Sequence, residues 1–212
     1  MIIESFAVPP FEKNAYVLGC ESTRDAVVID PGDEVAQVVS AVAAHALRVR
    51  YILLTHSHLD HISGCNEAKQ AFEAPIVLHR DDLFLYERVV QQGIAFGHPV
   101  APQPSIDAWF DPGIVWRFGE YDVVVHHVPG HSPGQVCLQV GRTGTAGADL
   151  FVGDTLFAGS VGRVDLPGGD GQTLLRSIRE VLLPLGDHCI VHPGHGPTTT
   201  IGQERLTNPF LV

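Results

Sequence analysis

Paired cysteines are missing. Cys20, Cys65, Cys137 and Cys189 are scattered over 212 residues with no CxxC pair, which excludes a dense disulfide framework and fits buried free thiols in a reducing compartment. No run of about 18 apolar residues occurs, so no membrane-spanning helix is expected. The opening Met1-Ile2-Ile3-Glu4 lacks a basic segment leading into a sustained apolar one, so it reads as no secretory signal and a cytoplasmic, soluble protein is expected. Positive charge is scarce too. Thirteen Lys and Arg stand against 24 Asp and Glu, a net charge of −11, which disfavours a protein that grips nucleic acid by its phosphates. With 17% charged and 45% hydrophobic residues, the chain is not disordered. No polar linker breaks it, so a single domain over residues 1–212 with large buried sheets is expected.

What the sequence does have is histidine, 12 residues in all. The densest group is Thr55-His56-Ser57-His58-Leu59-Asp60-His61. It follows an apolar run, Tyr51-Ile52-Leu53-Leu54, that reads as a buried strand. In extended chain His56 and His58 point the same way, because side chains alternate with period two. The turn that follows swings Asp60 and His61 to the opposite side of the same small volume, so one loop holds donors for two adjacent metals. Surface histidines on a solvated turn would not need this spacing.

Around that loop, Ala26–Ile29 reads as a strand ending at Asp30-Pro31-Gly32-Asp33, where Asp33 is expected to cap a helix. Val35, Val38, Val39, Val42 and Leu47 give that helix its apolar face. Residues 81–91 read as a helix, and 92–110, rich in Gly and Pro, as a long loop that either lids one face or simply connects. Its Ile94, Phe96, Trp109 and Phe110 either line an acyl pocket or cap the core. Leu174, Leu175, Ile178, Val181 and Leu182 mark a further helix over 172–183. There is an internal echo. A strand ending in Asp30, a helix, and a strand ending in the histidine loop are followed later by a strand ending in Asp154, a helix, and a strand ending in His192-Pro193-Gly194-His195-Gly196. Two such halves imply two sheets with helices outside.

Three later stretches carry further donors: His131 between Pro129-Gly130 and Ser132-Pro133-Gly134, Asp154 after Gly153, and His195 in Pro193-Gly194-His195-Gly196. The order HxHxDH, PGH, GD, PGHG resembles that of the metallo-β-lactamase superfamily over nearly the whole chain. The fold this implies is α/β, a four-layer αββα sandwich of two mixed sheets with flanking helices. Carried over by residue, His56, His58 and His131 would hold one divalent metal and Asp60, His61 and His195 a second, with Asp154 bridging them. His195 rather than His192 matches the family's ligand, and His192 and His126 take supporting roles. The metals implied are two zinc ions, with iron or manganese as alternatives, because nitrogen and oxygen donors do not discriminate. Asp60 and Asp154 would be catalytic through the metals, and a hydroxide bridging them would be the nucleophile.

Within the superfamily, Asp154 together with His61 argues against the β-lactam-cleaving branch. The stretch Gly159 to Asp170 and the ending Thr199 to Phe210 are similar to short members of the glyoxalase II group, hydroxyacylglutathione hydrolases that cleave S-acylglutathione thioesters. Full-length glyoxalase II continues into a C-terminal helical domain that binds glutathione, whereas this chain stops at Val212, so a form without that domain is expected. Arg163 is then the candidate for binding an anionic substrate, a structural ion pair being its alternative role. Asn14 also matches a recurrent family stretch and reads as structural. Two rival functions remain. Persulfide dioxygenases resemble the chain in the HxHxDH loop and in a GRTDF stretch similar to Gly162–Leu166, and use one iron at positions matching His56, His131 and Asp154. A lactonase is the other. The partner implied is a small-molecule substrate, with neither nucleic acid nor membrane.

Overall fold

Apolar runs too short for helices, punctuated by Gly, Pro and Asp, make the strands here, and the burial pattern sorts them. The computed structural model describes residues 1–212, and the chain divides into two compact units, Met1–Pro112 with Arg117–Glu120 and Gly113–Trp116 with Tyr121–Val212.

The first unit holds a six-stranded sheet in sequence order: β1 (Ile2–Phe6), β2 (Ala15–Gly19), β3 (Asp25–Ile29), β4 (Arg48–Leu53), β5 (Ile76–Leu78) and β6 (Ala108–Trp109). Strand β1 alternates between half-buried and exposed positions, as an edge strand with one wet face does, while β2 is buried at every residue. The first three strands pair antiparallel, and β3 to β6 pair parallel. Parallel neighbours need a crossover. Helix α1 (Val35–Ala44) supplies it between β3 and β4, burying Val38 and Val42 against Val28 and Ile52. Its cap differs from the one expected. Glu34, not Asp33, stands at the N-cap, and the Asp33 carboxylate instead accepts from the Ser63 hydroxyl at 2.8 Å and faces His98 Nε2 at 3.1 Å. Two hydrogen-bonding neighbours drew it away from the helix start.

After β4 come α2 (Leu59–Ile62) and α3 (Cys65–Phe72), then, past β5, α4 (Leu83–Tyr86) and α5 (Val89–Phe96). The long loop expected over 92–110 is therefore partly regular: its start belongs to α5 and its end contains β6. Only Val89 and Gly93 are buried on α5, which is too weak an apolar stripe to announce a helix. The aromatic and aliphatic residues of this stretch do not gather. Ile94 is 71% exposed, whereas Phe110 is buried and Trp109 packs on the core of Val89 and Leu78.

A second six-stranded sheet consists of β7 (Val115–Phe118), β8 (Tyr121–His127), β9 (Val136–Arg142), β10 (Asp149–Gly153), β13 (Ile190–Pro193) and β14 (Thr199–Thr200) in the order β14-β13-β10-β9-β8-β7; β11 (Leu156–Phe157) and β12 (Ser160–Val161) make a small ribbon. Here β9 and β10 are antiparallel while β10 and β13 are parallel. That repeats the relation of β2, β3 and β4, so the echo read in the sequence is a repeated topology. The crossover helix α6 (Gly171–Ser177) runs on as a π turn over Ile178–Leu182 and a 3-10 turn over Leu183–Leu185, rather than one α-helix to Leu183. Pro184 has no N–H to offer the Glu180 carbonyl, so the regular ladder cannot continue there. Leu174, Ile178 and Leu182 still bury on one side, against Val128, Leu150 and Val191. Helix α7 (Ile201–Thr207) ends the fold. No helix is long and apolar enough to cross a membrane, and all four cysteines are free and buried.

Candidate metal centre

Strand β4 delivers the histidine loop. Beyond Leu53 the chain stays extended, and His58 has φ −75° and ψ 152° before α2 begins at Leu59. His56, His58 and His61 are buried. Their rings crowd together, with centroids 4.8 Å apart for His56 and His58 and 4.0 Å for His56 and His61. The first turn of α2 brings Asp60 Oδ2 to 3.6 Å from His61 Nε2. The four donors expected from this loop thus lie beside one another.

Extended backbone aims the N–H groups of alternate residues the same way, and beyond the end of a sheet they need acceptors. Side chains provide them. Thr55 N–H donates to Asp30 Oδ1 at 2.7 Å, Ser57 N–H to Asp82 Oδ2 at 2.9 Å, and Leu59 N–H to Gln92 Oε1 at 3.0 Å. Asp30 does more. Its Oδ2 accepts from the Thr55 hydroxyl at 2.6 Å and from His61 Nδ1 at 2.9 Å. Asp30, His56 and His61 offer atoms within 4.8 Å of one another, yet the Asp30 carboxylate is fully engaged in support. Behind it, fully buried Lys13 bonds the Asp30 carbonyl and sits 2.9 Å from Glu34 Oε2.

These bonds set the histidine tautomers. The single Thr55 hydroxyl proton goes to Asp30, so Thr55 Oγ1, 3.1 Å from His56 Nδ1, accepts a proton from that nitrogen. His61 Nδ1 likewise donates to the Asp30 carboxylate. Both rings are left with a basic Nε2. This is the arrangement metal-ligating histidines have, with the far nitrogen fixed by a carboxylate or carbonyl.

The second unit repeats the device. His131 Nδ1 donates to the Arg163 carbonyl at 2.8 Å, and its Nε2 stands 3.6 Å from Asp154 Oδ2. The same oxygen is 3.5 Å from His195 Nε2. One carboxylate oxygen therefore faces two imidazole nitrogens at separations longer than a good hydrogen bond. Strand ends account for the meeting. Asp154 follows β10, His195 follows the parallel β13, and Gly194 N–H bonds the Gly153 carbonyl at 2.8 Å. Gly162 closes the group, since a Cβ there would lie 1.9 Å from the Asp154 carbonyl oxygen. Imidazoles and carboxylates, buried apart from the half-buried Asp60 and His195, with the proton placed on Nδ1 of three of the rings, are in each unit donors suited to divalent cations.

His192 lies elsewhere, bonding Asp149 Oδ1 at 2.9 Å and stacking on Phe151 at 4.5 Å. His126 bonds Gln139. Arg163 contributes its backbone, while its exposed guanidinium pairs with both Asp165 oxygens at 2.7 Å. That bidentate pair holds the Asp165 carboxyl down to about 2. Asp30, Asp82 and Gln92 were not singled out from the sequence as site residues. A carboxylate directly after β3, in the position Asp154 takes after β10, was the one available signal, and it pointed only to Asp30.

The model of the metallo-β-lactamase superfamily matches residues 8–195. Hydroxyacylglutathione hydrolase GloC of Haemophilus influenzae is 38% identical over 213 residues, covering 100% of this chain and 98% of that protein. Among solved structures, BLEG-1 B3 metallo-beta-lactamase superposes with a TM-score of 0.90 at 36% identity, covering 100% of both chains. TTHA1623 in a di-iron-bound form does so at 0.85 and 39% identity, covering 98% of this chain and 100% of that one. A mixed sheet with its own helices in each unit, the ordered donors and these likenesses have one common meaning: the chain belongs to the metallo-β-lactamase superfamily and has the metallo-β-lactamase fold.

Proposed function

We propose that the protein is a dinuclear metal hydrolase that cleaves thioesters of the S-acylglutathione type. His56, His58 and His131 would hold one cation and Asp60, His61 and His195 the other, with the Asp154 carboxylate available to both. The observation that carries this is the fixed tautomer of His56, His61 and His131, each giving its Nδ1 proton to Asp30, Thr55 or a carbonyl and keeping Nε2 as a base. Likeness to GloC over nearly the full length of both chains supports the thioester substrate, and the di-iron form of TTHA1623 supports a two-metal site. Two divalent cations at such a site would activate a water and polarise the substrate carbonyl. The chain's own part is to hold the donors still. Asp30 and the Arg163 carbonyl orient the imidazoles, Asp60 and Asp154 bring negative charge to balance the cations, and burial shields His56, His58, His61, His131 and Asp154 from bulk water.

The test is metal content of protein purified under anaerobic, metal-buffered conditions, paired with hydrolysis of S-lactoylglutathione, simple thioesters, lactones and a β-lactam. About two metals per chain with thioester turnover is the expected result. One iron per chain, with oxygen uptake on glutathione persulfide and no hydrolysis, would replace the hydrolase with the dioxygenase suggested by Gly162–Leu166. Turnover confined to the β-lactam or to lactones would keep the site and change the substrate.

A further inference from the structure

Gln92 lies on α5, outside the histidine loop, yet its amide is saturated around one ligand. Oε1 accepts from Leu59 N–H at 3.0 Å, while Nε2 donates to the Ser57 carbonyl at 2.9 Å and to the Leu85 carbonyl at 2.9 Å. The first two bonds grip the peptide groups on either side of His58. The third anchors the amide to α4. Leu59 opens α2, so its N–H is one of the donors a helix leaves without an internal partner. A half-buried glutamine making three bonds to backbone, in a helix with few buried residues, is not explained by packing.

We infer that Gln92 is a positioning residue for His58: it sets the φ and ψ of the His58 backbone, and through them the direction of that imidazole, and so governs the affinity of the His56-His58-His131 cation without touching it. The inference rests on the reading of His58 as a ligand. It also predicts selectivity. Asp30 governs His61 directly and His56 through the Thr55 hydroxyl, so its support reaches both cations, whereas that of Gln92 is confined to the cation of His58.

The experiment is metal binding by chelator competition with zinc, and the visible spectrum of the cobalt-loaded protein, for wild type, Gln92→Met, Asp30→Asn and His58→Ala, each measured at a temperature where circular dichroism shows it folded. Methionine keeps the volume and loses all three bonds. Expected for Gln92→Met is a loss of about tenfold or more in affinity for one of the two metals, with a changed cobalt spectrum. Wild-type affinity for both metals and an unchanged spectrum would overturn the inference, and a drop in thermal stability alone counts as that result. His58→Ala separates the two levels. If it too keeps both metals, the ligand assignment falls and the clamp with it; if it loses one while Gln92→Met loses none, only the clamp falls. Should Gln92→Met not fold, Gln92→Glu, which keeps the acceptor for Leu59 N–H and loses the donation to Ser57, carries the same criterion.

Discussion

Asp30 decides which nitrogen of His61 carries a proton. An asparagine there would present an NH₂ toward Nδ1, take away the acceptor, and move the proton to Nε2, where it blocks coordination. Asp30→Asn should therefore lower metal affinity by about 10–100-fold, most at the cation of His61, and folding stability by about 1–3 kcal/mol, from the lost acceptor for the Thr55 hydroxyl. Chelator competition reads the first and urea unfolding of the metal-free protein the second. The cysteines allow a separate check. Burial alone would raise the Cys20 thiol, but hydrogen bonds from Ser22 and Thr23 and the Glu120 backbone outweigh it and bring it down to about 6. Burial pushes the Cys65 and Cys137 thiols up. Cys20 is as buried as the others, so the check is titration of the folded protein: ultraviolet thiolate absorbance from one thiol should appear near pH 6 instead of near the usual thiol value of about 8.5. Since the folded value lies below the unfolded one, the Cys20 thiolate adds to stability above pH 8.5 and that contribution fades as the pH falls through 6. The candidate donors gathered after β4 were legible at this scale, because HxHxDH is written in consecutive letters. Asp30, Asp82 and Gln92 were not, since each lies 25 to 33 residues away from the N–H it receives and no spacing rule links a side chain to a distant peptide group.

At the level of elements, two glycines bring ligand loops into register. A Cβ on Gly32 would stand 1.9 Å from the Asp60 carbonyl oxygen, and one on Gly162 the same distance from that of Asp154. Backbone cannot yield cheaply at either place. Gly32→Ala and Gly162→Ala should each destabilise the metal-free protein by about 1–3 kcal/mol and weaken metal binding, while Gly171→Ala, whose nearest neighbour would be Val164 at 3.6 Å, should stay within about 0.5 kcal/mol of wild type. Guanidinium unfolding of the three variants gives the comparison. Strands and α1 were legible from apolar runs and period. Helix α5 was legible only to Gln91, the end of the helix expected over 81–91, because Gly93 interrupts its apolar residues and few of them are buried, and the break after α6 was missed because the stripe from Leu174 to Leu182 continues unchanged through a π turn.

For the molecule as a whole, bound metal should contribute to folding stability, because the donors come from stretches spread between residues 56 and 195 that the unfolded chain does not hold together. With free metal at 100 times its dissociation constant, each site adds about 2.7 kcal/mol. In a chain of this length that raises the melting temperature by about 5–10 °C. Scanning calorimetry before and after chelation, and after return of zinc, manganese or ferrous iron, should show the loss and which ion restores it. The repeated topology has a consequence for descent. Asp30 and Asp154 occupy the same station, one residue past the first strand of a parallel pair, and both meet histidines, but Asp30 reaches Nδ1 of its ring and Asp154 faces Nε2. A duplicated half-chain would begin with two equivalent acids. Under the proposed assignment one copy would then serve as a bridge and the other as a brace, the difference lying in which ring nitrogen each acid meets.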